Sequence, residues 1–220
     1  LFRSILSRLV DANGLVTPDK FIPILTQFNL SKRFDMLVLE KLFCSLEAFP
    51  VQRFSVNLMP YTLMQAESAT EIIALFRRYQ VNVKRIIVEI TEEQAFSNSD
   101  VSIKNLNQLR EFGCQIAIDD FGTGYASYAR LKNVNADLLK IDGSFIRNIV
   151  SNSLDYQIVA SICHLARMKK MRVVAEYVEN EEIREAVLSL GIDYMQGYLI
   201  GKPQPLIDTL NEIEPIRESA

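Results

Sequence analysis

Short runs of apolar and β-branched residues alternate with longer amphipathic stretches along the whole 220-residue chain. Seven runs are predicted to be strands, at residues 5–10, 53–58, 86–91, 115–119, 138–141, 172–175 and 196–200. Their apolar character is continuous rather than alternating, which is typical of a parallel sheet covered by helices. Seven strands, with room for one more at the start, predict a closed eight-stranded α/β barrel rather than an open sheet.

Four of the intervening stretches carry apolar residues at helical spacing, at residues 35–46, 101–112, 155–168 and 181–190. Asn98, Ser99 and Asp100 precede the second stretch as an N-terminal cap, and Gly191 follows the fourth at a C-cap position. Because no low-complexity linker interrupts the chain, we predict one domain over residues 1–213 and a polar C-terminal tail over residues 214–220.

Charge and cysteine content restrict the class of protein. A formal net charge of −3 provides no basic face of the kind that binds DNA or RNA polymers. Cys44, Cys114 and Cys163 are an odd number without paired spacing, which favours buried thiols in a reducing compartment over disulfides. No apolar run approaches the roughly 20 residues that cross a bilayer, so we expect a cytoplasmic domain, with any membrane anchor outside it.

Polar side chains recur where the predicted strands end. The residues concerned are Asn57, Glu89, Glu92, Asp119, Asp120, Lys140, Asp142, Glu176, Glu179 and Gln196. The strand ends of a parallel barrel converge on one mouth, where active sites are built from several strands. A single acid after a strand is more often a helix cap, but caps do not explain Glu89 and Asp119, which lie within apolar strands.

So many carboxylates at one mouth repel each other unless cations lie between them. Oxygen ligands without clustered His or Cys favour Mg²⁺ or Mn²⁺ over Zn²⁺. Two such ions, roughly 3.5–4 Å apart, are a recurrent device for phosphodiester cleavage. The residue types therefore predict a two-metal site for a phosphodiester substrate.

The segment Asp119–Tyr125 (DDFGTGY) joins paired aspartates to a glycine-rich loop. With residues 55–58, 88–92, 139–142 (LKID), 175–179 and 196–198 (QGY), it resembles the EAL-domain family of cyclic di-GMP phosphodiesterases, over nearly the whole chain. The resemblance implies a modified TIM-like (β/α)8 barrel with an antiparallel first strand, here incomplete at the N-terminus. It also implies hydrolysis of cyclic di-GMP to linear pGpG with two ions, Mg²⁺ or Mn²⁺.

The resemblance assigns roles residue by residue. The implied metal ligands are Asn57, Glu89, Asp119 and Asp120. The implied catalytic residues are Lys140, Glu176 and Gln196. Substrate binding is assigned to Leu6, Arg8, Asp142 and Glu179. Coupling of the glycine-rich loop to a partner copy in a homodimer is assigned to Glu92, Gly122, Thr123, Gly124 and Tyr125.

Two positions depart from the family pattern. Tyr177 replaces the glycine of the motif AEGVE, and Ser4 stands where the name-giving glutamate of Glu-Ala-Leu belongs. Residues 1–3 resemble the end of the family's first strand and residues 5–10 its second, with no turn between them. Either the domain is truncated and Ser4 is a true substitution, or a hairpin carrying the glutamate is missing between Ser4 and Ile5. We favour the missing hairpin, because the other site residues are all present.

Two functions follow from these motifs. The first is a metal-dependent cyclic di-GMP phosphodiesterase, and the second is an inactive receptor that binds cyclic di-GMP and signals to a protein partner. Loss of the glutamate at Ser4 favours the receptor, whereas Asp119, Lys140 and Glu176 favour the enzyme. A barrel enzyme of unrelated metal chemistry is nearly excluded by the assembled motifs. We expect a sensor or GGDEF domain upstream in the full-length bacterial protein.

Overall fold

A computed structural model describes residues 2–12, 14–49, 52–95, 99–122 and 135–208. Seven parallel strands form the main sheet in the order β1-β4-β5-β6-β7-β8-β9. They are β1 (Phe2–Ile5), β4 (Arg53–Asn57), β5 (Ile86–Thr91), β6 (Gln115–Phe121), β7 (Leu138–Ile141), β8 (Arg172–Ala175) and β9 (Tyr194–Met195). Strands β2 (Leu9–Asp11) and β3 (Gly14–Val16) form a separate antiparallel hairpin.

The main sheet curls until its two edges approach each other. The ring centroids of Phe2 in β1 and Tyr194 in β9 lie 5.6 Å apart. The architecture is therefore the predicted α/β barrel, left incomplete between these two edges. In the part of the chain that the structure describes, every strand of the main sheet is parallel to its neighbours. The expectation that residues 1–3 end an antiparallel first strand is therefore wrong, because Phe2 and Arg3 pair parallel with β4.

Helices occupy most of the connections between strands. They are α1 (Pro18–Gln27), α2 (Ser31–Ser45), α3 (Pro60–Met64), α4 (Ser68–Arg78), α5 (Glu92–Ala95), α6 (Asp100–Phe112), α7 (Gly143–Ile146), α8 (Ser153–Met168) and α9 (Glu181–Ser189). Ser99 caps α6 by accepting a hydrogen bond from the Ser102 N–H, and Gly191 follows α9 with a φ of +67°. None of the helices within these ranges has the length and apolar content that a membrane crossing requires.

The central strands agree with the sequence prediction, and both ends of the sheet differ from it. Strands β5, β7 and β8 have the predicted bounds. The predicted strand at 5–10 is wrong, because the parallel partner of β4 is Phe2–Ile5 and the chain then turns into the β2–β3 hairpin. The predicted strand at 196–200 is also wrong, since the Ile200 and Gly201 N–H groups both donate to the Gly197 carbonyl and turn the chain.

The two alternatives for the N-terminus, a true substitution at Ser4 or a hairpin missing between Ser4 and Ile5, both stay predictions. Ser4 and Ile5 are consecutive residues of β1, and they pair with Ser55 and Val56 of β4. Ser4 thus lies within a regular strand of this chain. The predicted tail at 214–220 and the predicted cap residue Asn98 lie outside the described residues.

An apolar layer fills the interior of the barrel below the mouth. Its buried residues are Ile87, Ala117, Leu138 and Val174, and the partly buried rings of Phe2 and Tyr194 pack against them. Side chains two residues apart on a strand point to the same face. The residues two positions further along the chain therefore form the next inward layer toward the mouth. They are Ser4, Glu89, Asp119, Lys140, Glu176 and Gln196.

Two larger apolar clusters pack the outer helices against the sheet. Phe43, Phe54 and Phe76 lie in the first cluster, and Leu139, Ile146 and Val173 lie in the second. Cys114 and Cys163 are buried in these clusters as expected, whereas the free thiol of Cys44 is exposed. The exposure of Cys44 contradicts the expectation that all three thiols are buried.

A buried carboxylate fixes the connection that follows β4. Asp35 of α2 is 3% exposed, and its Oδ2 accepts hydrogen bonds from the Met59 N–H at 2.8 Å and from Thr62 Oγ1 at 2.5 Å. Burial raises the pKa of Asp35 from 3.8 to about 7, although both hydrogen bonds oppose the rise. Asp35 thereby ties α2 to α3, directly after the strand that ends in Asn57.

The raised pKa of Asp35 predicts how stability depends on pH. Between pH 4 and pH 7 the folded chain keeps the proton on Asp35 while the unfolded chain loses it, so the free energy of unfolding falls as pH rises. The whole shift corresponds to at most about 4 kcal/mol. We expect Asp35→Asn, which mimics the neutral acid, to reduce this decline when chemical unfolding is measured at pH 5 and pH 8. Equal pH dependence in both proteins would contradict the assignment.

Candidate active site

The Lys140 ammonium is the centre of the polar layer at the barrel mouth. Its Nζ lies 2.6 Å from Asp119 Oδ1, 2.7 Å from Glu176 Oε1 and 3.3 Å from Glu89 Oε2. Lys140 is 2% exposed and Glu89 is fully buried. The four consecutive strands β5 to β8 therefore bring together four residues that the sequence analysis assigned to one site.

The side chains of β1 and β4 surround Glu89. Asn57 Nδ2 donates to Glu89 Oε2 at 3.2 Å, and Ser4 Oγ lies 3.4 Å from Glu89 Oε1. Ser4 Oγ also lies 2.9 Å from Ser55 Oγ and 3.3 Å from Gln196 Oε1. The Ser4 hydroxyl thus lies beside Glu89, which is the acid that the described residues place on this side of the site.

Asp119, Asp120 and Glu176 form a second group on the other side. Each offers a carboxylate oxygen, and these oxygens all lie within 4.8 Å of one another. The Asp120 N–H donates to Asp119 Oδ1 at 3.1 Å, and Asp120 has a left-handed φ of +53°. Asp tolerates this conformation better than most residues, which allows two consecutive aspartates to turn toward the same mouth.

The protonation preferences of the site show that negative charge is in excess. Burial disfavours the Lys140 ammonium, but the charges of Glu89, Glu176 and Asp119 outweigh that cost and raise the pKa of Lys140. Burial also raises the pKa of Glu176 to about 7, with Lys140 opposing the rise and Asp119 adding to it. The pKa of Asp120 is raised by burial and by the charge of Asp119. A single ammonium does not neutralise four carboxylates.

The donor set fits divalent cations that prefer oxygen. The Asp119–Asp120–Glu176 group supplies only carboxylate oxygens, and Asn57 and Glu89 supply further oxygens on the other side of Lys140. Hard ions such as Mg²⁺ and Mn²⁺ take such ligands, and their charge would relieve the repulsion that raises the carboxyl pKa values.

Glu92 connects the site to the glycine-rich loop. Glu92 follows β5 and is 6% exposed, and its Oε2 accepts a hydrogen bond from the Gly122 N–H at 2.9 Å. Gly122 has a φ of +108°, and an added Cβ there would lie 2.6 Å from the Phe145 ring. The close approach of Phe145 therefore requires glycine at this position. Thr123, Gly124 and Tyr125 lie outside the described residues.

The four residues assigned to substrate binding lie around the mouth without joining the buried cluster. Leu6 is 46% exposed, and Arg8 is exposed and donates to the Ser7 carbonyl. Asp142 Oδ1 accepts from the Ser144 N–H at 2.9 Å and so caps α7, while Glu179 is exposed. These positions are open to a ligand, but the contacts observed for Asp142 also have a structural role.

Two features of the site were not assigned from the sequence. Ser55 contacts the Ser4 hydroxyl, and its signal was its inward position two residues before Asn57. Tyr177, directly after Glu176, has a left-handed φ of +59°. That conformation costs about 1–2 kcal/mol for a residue with a Cβ. The motif AEGVE has glycine at this position, and glycine adopts a left-handed φ without this cost. The difference from the motif is therefore the sequence signal for Tyr177.

Comparisons with known proteins agree with this architecture. The family model of the EAL domain matches residues 2–203. The chain is 64% identical over its whole length to the cyclic di-GMP phosphodiesterase PdeF of Escherichia coli K12 and covers 30% of that protein. It is 36% identical over 92% of its length to the cyclic di-GMP phosphodiesterase PdeA of Borreliella burgdorferi and covers 31% of that protein. The chain therefore spans about a third of the length of these relatives.

A solved structure gives the same result at the level of the fold. The PaMucR phosphodiesterase in its c-di-GMP complex superposes with a TM-score of 0.86 at 32% sequence identity, covering 94% of this chain and 86% of that one. The barrel topology, the residues matched by the family model and these identities lead to one conclusion: the chain belongs to the EAL-domain family.

Proposed function

We propose that this domain hydrolyses cyclic di-GMP to linear pGpG with the help of two divalent cations, Mg²⁺ or Mn²⁺. The observation that carries the proposal is the buried Lys140 ammonium held by Glu89, Asp119 and Glu176 at the mouth of an EAL-type barrel. The relatives named as cyclic di-GMP phosphodiesterases support the choice of substrate. This chemistry explains why so many acids converge on one buried lysine.

The ligand oxygens would come from both sides of Lys140. Asn57, Glu89 and Asp119 would hold one cation, and Asp119 with Asp120 would hold the other. When bound, such cations lower the pKa of a water molecule and stabilise the charge on phosphoryl oxygens. Asp119 is the central ligand in this proposal, because its carboxylate contacts Lys140 and lies beside Asp120.

The remaining side chains would orient the reacting groups. The three carboxylate partners of the Lys140 ammonium keep it charged and fixed, and it would donate a hydrogen bond to the attacking water once a cation takes over one of these carboxylates. Glu176 and Gln196 extend this polar surface toward β9, where Gln196 contacts Ser4. Leu6, Arg8, Asp142 and Glu179 would bind the nucleotide around the mouth.

Contacts outside the active site belong to the same proposal. Glu92 holds Gly122 at the start of the glycine-rich loop, so it would link the metal site to a partner copy in a homodimer. The chain covers about a third of its relatives, and we propose that a sensor or GGDEF domain lies upstream in the full-length protein. The domain itself would act in the cytoplasm.

One observation favours a second function, that of an inactive cyclic di-GMP receptor. Ser4 places a hydroxyl, and no carboxylate, 3.4 Å from Glu89 Oε1. The cation nearest Glu89 would therefore lack one negatively charged ligand. A receptor needs the nucleotide-binding surface but not a complete pair of cations.

Turnover decides between the two functions. We expect purified protein of verified N-terminal sequence to convert cyclic di-GMP to pGpG with Mg²⁺ or Mn²⁺, as measured by chromatography of the products. No turnover together with retained nucleotide binding would establish the receptor. Absence of both turnover and binding would contradict both functions.

Replacement of Asp119 tests the proposed ligand set. We expect Asp119→Asn to lower kcat by about 100-fold or more, because the bridging charge is lost while the shape is kept. The unfolding temperature of the metal-free variant should be unchanged or higher, since one of four mutually repelling carboxylates is gone. Asp208→Asn, at an exposed position, is the matched control and should leave both values unchanged. Full activity of Asp119→Asn would exclude the site.

Replacement of Ser4 tests the effect of the missing acid. We expect Ser4→Glu to lower the Mn²⁺ concentration for half-maximal turnover, because a carboxylate would join Glu89 as a ligand. The metal-free variant should unfold about 1–3 kcal/mol more easily, since like charges meet in a buried layer. Ser4→Gln, of equal size without charge, should not change the Mn²⁺ requirement in this way. Equal behaviour of the two variants would show that the charge at this position is irrelevant.

A further inference from the structure

Tyr177 has a strained backbone, and its ring packs on Gly143 and Arg147 beside the active site although the residue is 43% exposed. Its φ is +59°, in the left-handed region that non-glycine residues rarely adopt. Its ring lies against Gly143, where an added Cβ would be 2.4 Å from Tyr177 Cδ2. The Arg147 guanidinium carbon lies 3.7 Å from the ring centroid. A strained conformation persists only where surrounding contacts determine it.

These contacts join the connections that follow two neighbouring strands. Tyr177 comes directly after Glu176 at the end of β8, and Gly143 and Arg147 lie in and just after α7, which follows β7. The same two strands carry Glu176 and Lys140, whose side chains are 2.7 Å apart. The ring of Tyr177 therefore bridges the two backbones that hold this ion pair.

A second contact between an aromatic ring and a glycine extends this packing around the mouth through α7. Phe145 of α7 lies against Gly122, where an added Cβ would be 2.6 Å from the ring. Gly122 is held in turn by the Glu92 carboxylate at 2.9 Å. Two pairs of aromatic residue and glycine, Tyr177 with Gly143 and Phe145 with Gly122, thus connect three consecutive strand ends, and the hydrogen bond from Gly122 to Glu92 adds a fourth.

We propose that Tyr177 is a positioning residue that fixes the Glu176 carboxylate relative to Lys140 and the cation ligands Asp119 and Asp120. It acts through the packing of its ring on Gly143 and Arg147, and its phenol oxygen has no part in this role. The inference rests on the proposed function of Glu176 and Lys140 in the metal site. It explains why a tyrosine is held in a conformation that suits glycine.

The test combines five variants with three measurements, which are steady-state kinetics, Mn²⁺ half-saturation and unfolding temperature. Tyr177→Gly keeps the backbone conformation and removes the ring, whereas Tyr177→Phe keeps the ring. Gly143→Ala places a methyl group into the ring of Tyr177. The double variant carries both Tyr177→Gly and Gly143→Ala. Lys170→Gly is the matched control, because Lys170 has the same φ of +59° and lies after α8, away from the mouth.

We expect Tyr177→Gly to lower kcat at least fivefold with less than a twofold change in KM, and to raise the Mn²⁺ concentration for half-saturation at least threefold. Tyr177→Phe and Lys170→Gly should behave as the unmodified protein. Gly143→Ala should lower the unfolding temperature in the presence of Tyr177 but not in the Tyr177→Gly background, because the clash is then absent.

Each result has a definite meaning. Unchanged kcat and Mn²⁺ affinity in Tyr177→Gly would overturn the inference while leaving the proposed hydrolysis in place. A rise in KM alone would overturn it as well, since the ring would then contact substrate. If the unmodified protein does not turn over cyclic di-GMP, the Mn²⁺ affinity and the unfolding temperatures still decide the positioning role, and the hydrolytic function alone fails.

Discussion

The ion cluster around Lys140 is the interaction on which the rest of the mouth depends. Glu89 is fully buried, and Lys140 is the cation that contacts it at 3.3 Å. A buried charge without a partner costs several kcal/mol, so the lysine makes the acidic layer compatible with a folded barrel. The cluster is still deficient in positive charge, because one ammonium faces the carboxylates of Glu89, Asp119, Asp120 and Glu176. Burial first, and then neighbouring carboxylates, raise the pKa of Glu176 and of Asp120. That deficit is the physical reason to expect cations at this site.

The position of the cluster follows from strand geometry. Ile87, Ala117, Leu138 and Val174 form an apolar layer, and the residues two positions further along the same strands are Glu89, Asp119, Lys140 and Glu176. In the parallel pairing Glu89 lies opposite Ala117 and Lys140 opposite Val174, so the polar positions of neighbouring strands are staggered along the sheet, and their side chains meet across the mouth at Lys140. The packed layer below excludes water and leaves the polar layer accessible from the mouth. Core and active site are thus successive layers of one barrel.

The sequence specified the centre of the barrel better than its edges. Buried β-branched runs such as Ile86–Thr91 have no other stable environment, so their strand bounds could be predicted. Phe2–Ile5 and Tyr194–Met195 are short edge strands, and their ends depend on the turns at the hairpin and at Gly197, which apolar content does not reveal. Helices α1 and α3 were not predicted, because prolines interrupt or precede their helical pattern. Helix α4 was also missed, although Ile72, Ile73 and Phe76 have helical spacing and were sufficient to predict it.

The same contrast applies to the functional residues. Acids at successive strand ends were sufficient to predict that Glu89, Asp119 and Glu176 converge on one mouth, and the structure shows that they meet there at Lys140. The side chains that contact and position these residues were not predictable. Ser55, Asp35 and Tyr177 act through contacts with residues that are distant in the sequence. Pattern identifies which residues face the mouth, and only the assembled barrel shows which side chains hold them in place.

Binding of divalent cations to the acidic layer can be measured directly. Mn²⁺ can be titrated into the metal-free domain and followed by the loss of the free-ion signal in electron paramagnetic resonance. Our account predicts saturable binding, approaching two ions per chain with cyclic di-GMP present, that disappears when the Asp119 carboxylate is removed. Failure to bind Mn²⁺ above the level of that variant would mean that the acidic layer is a structural ion cluster and not a metal site.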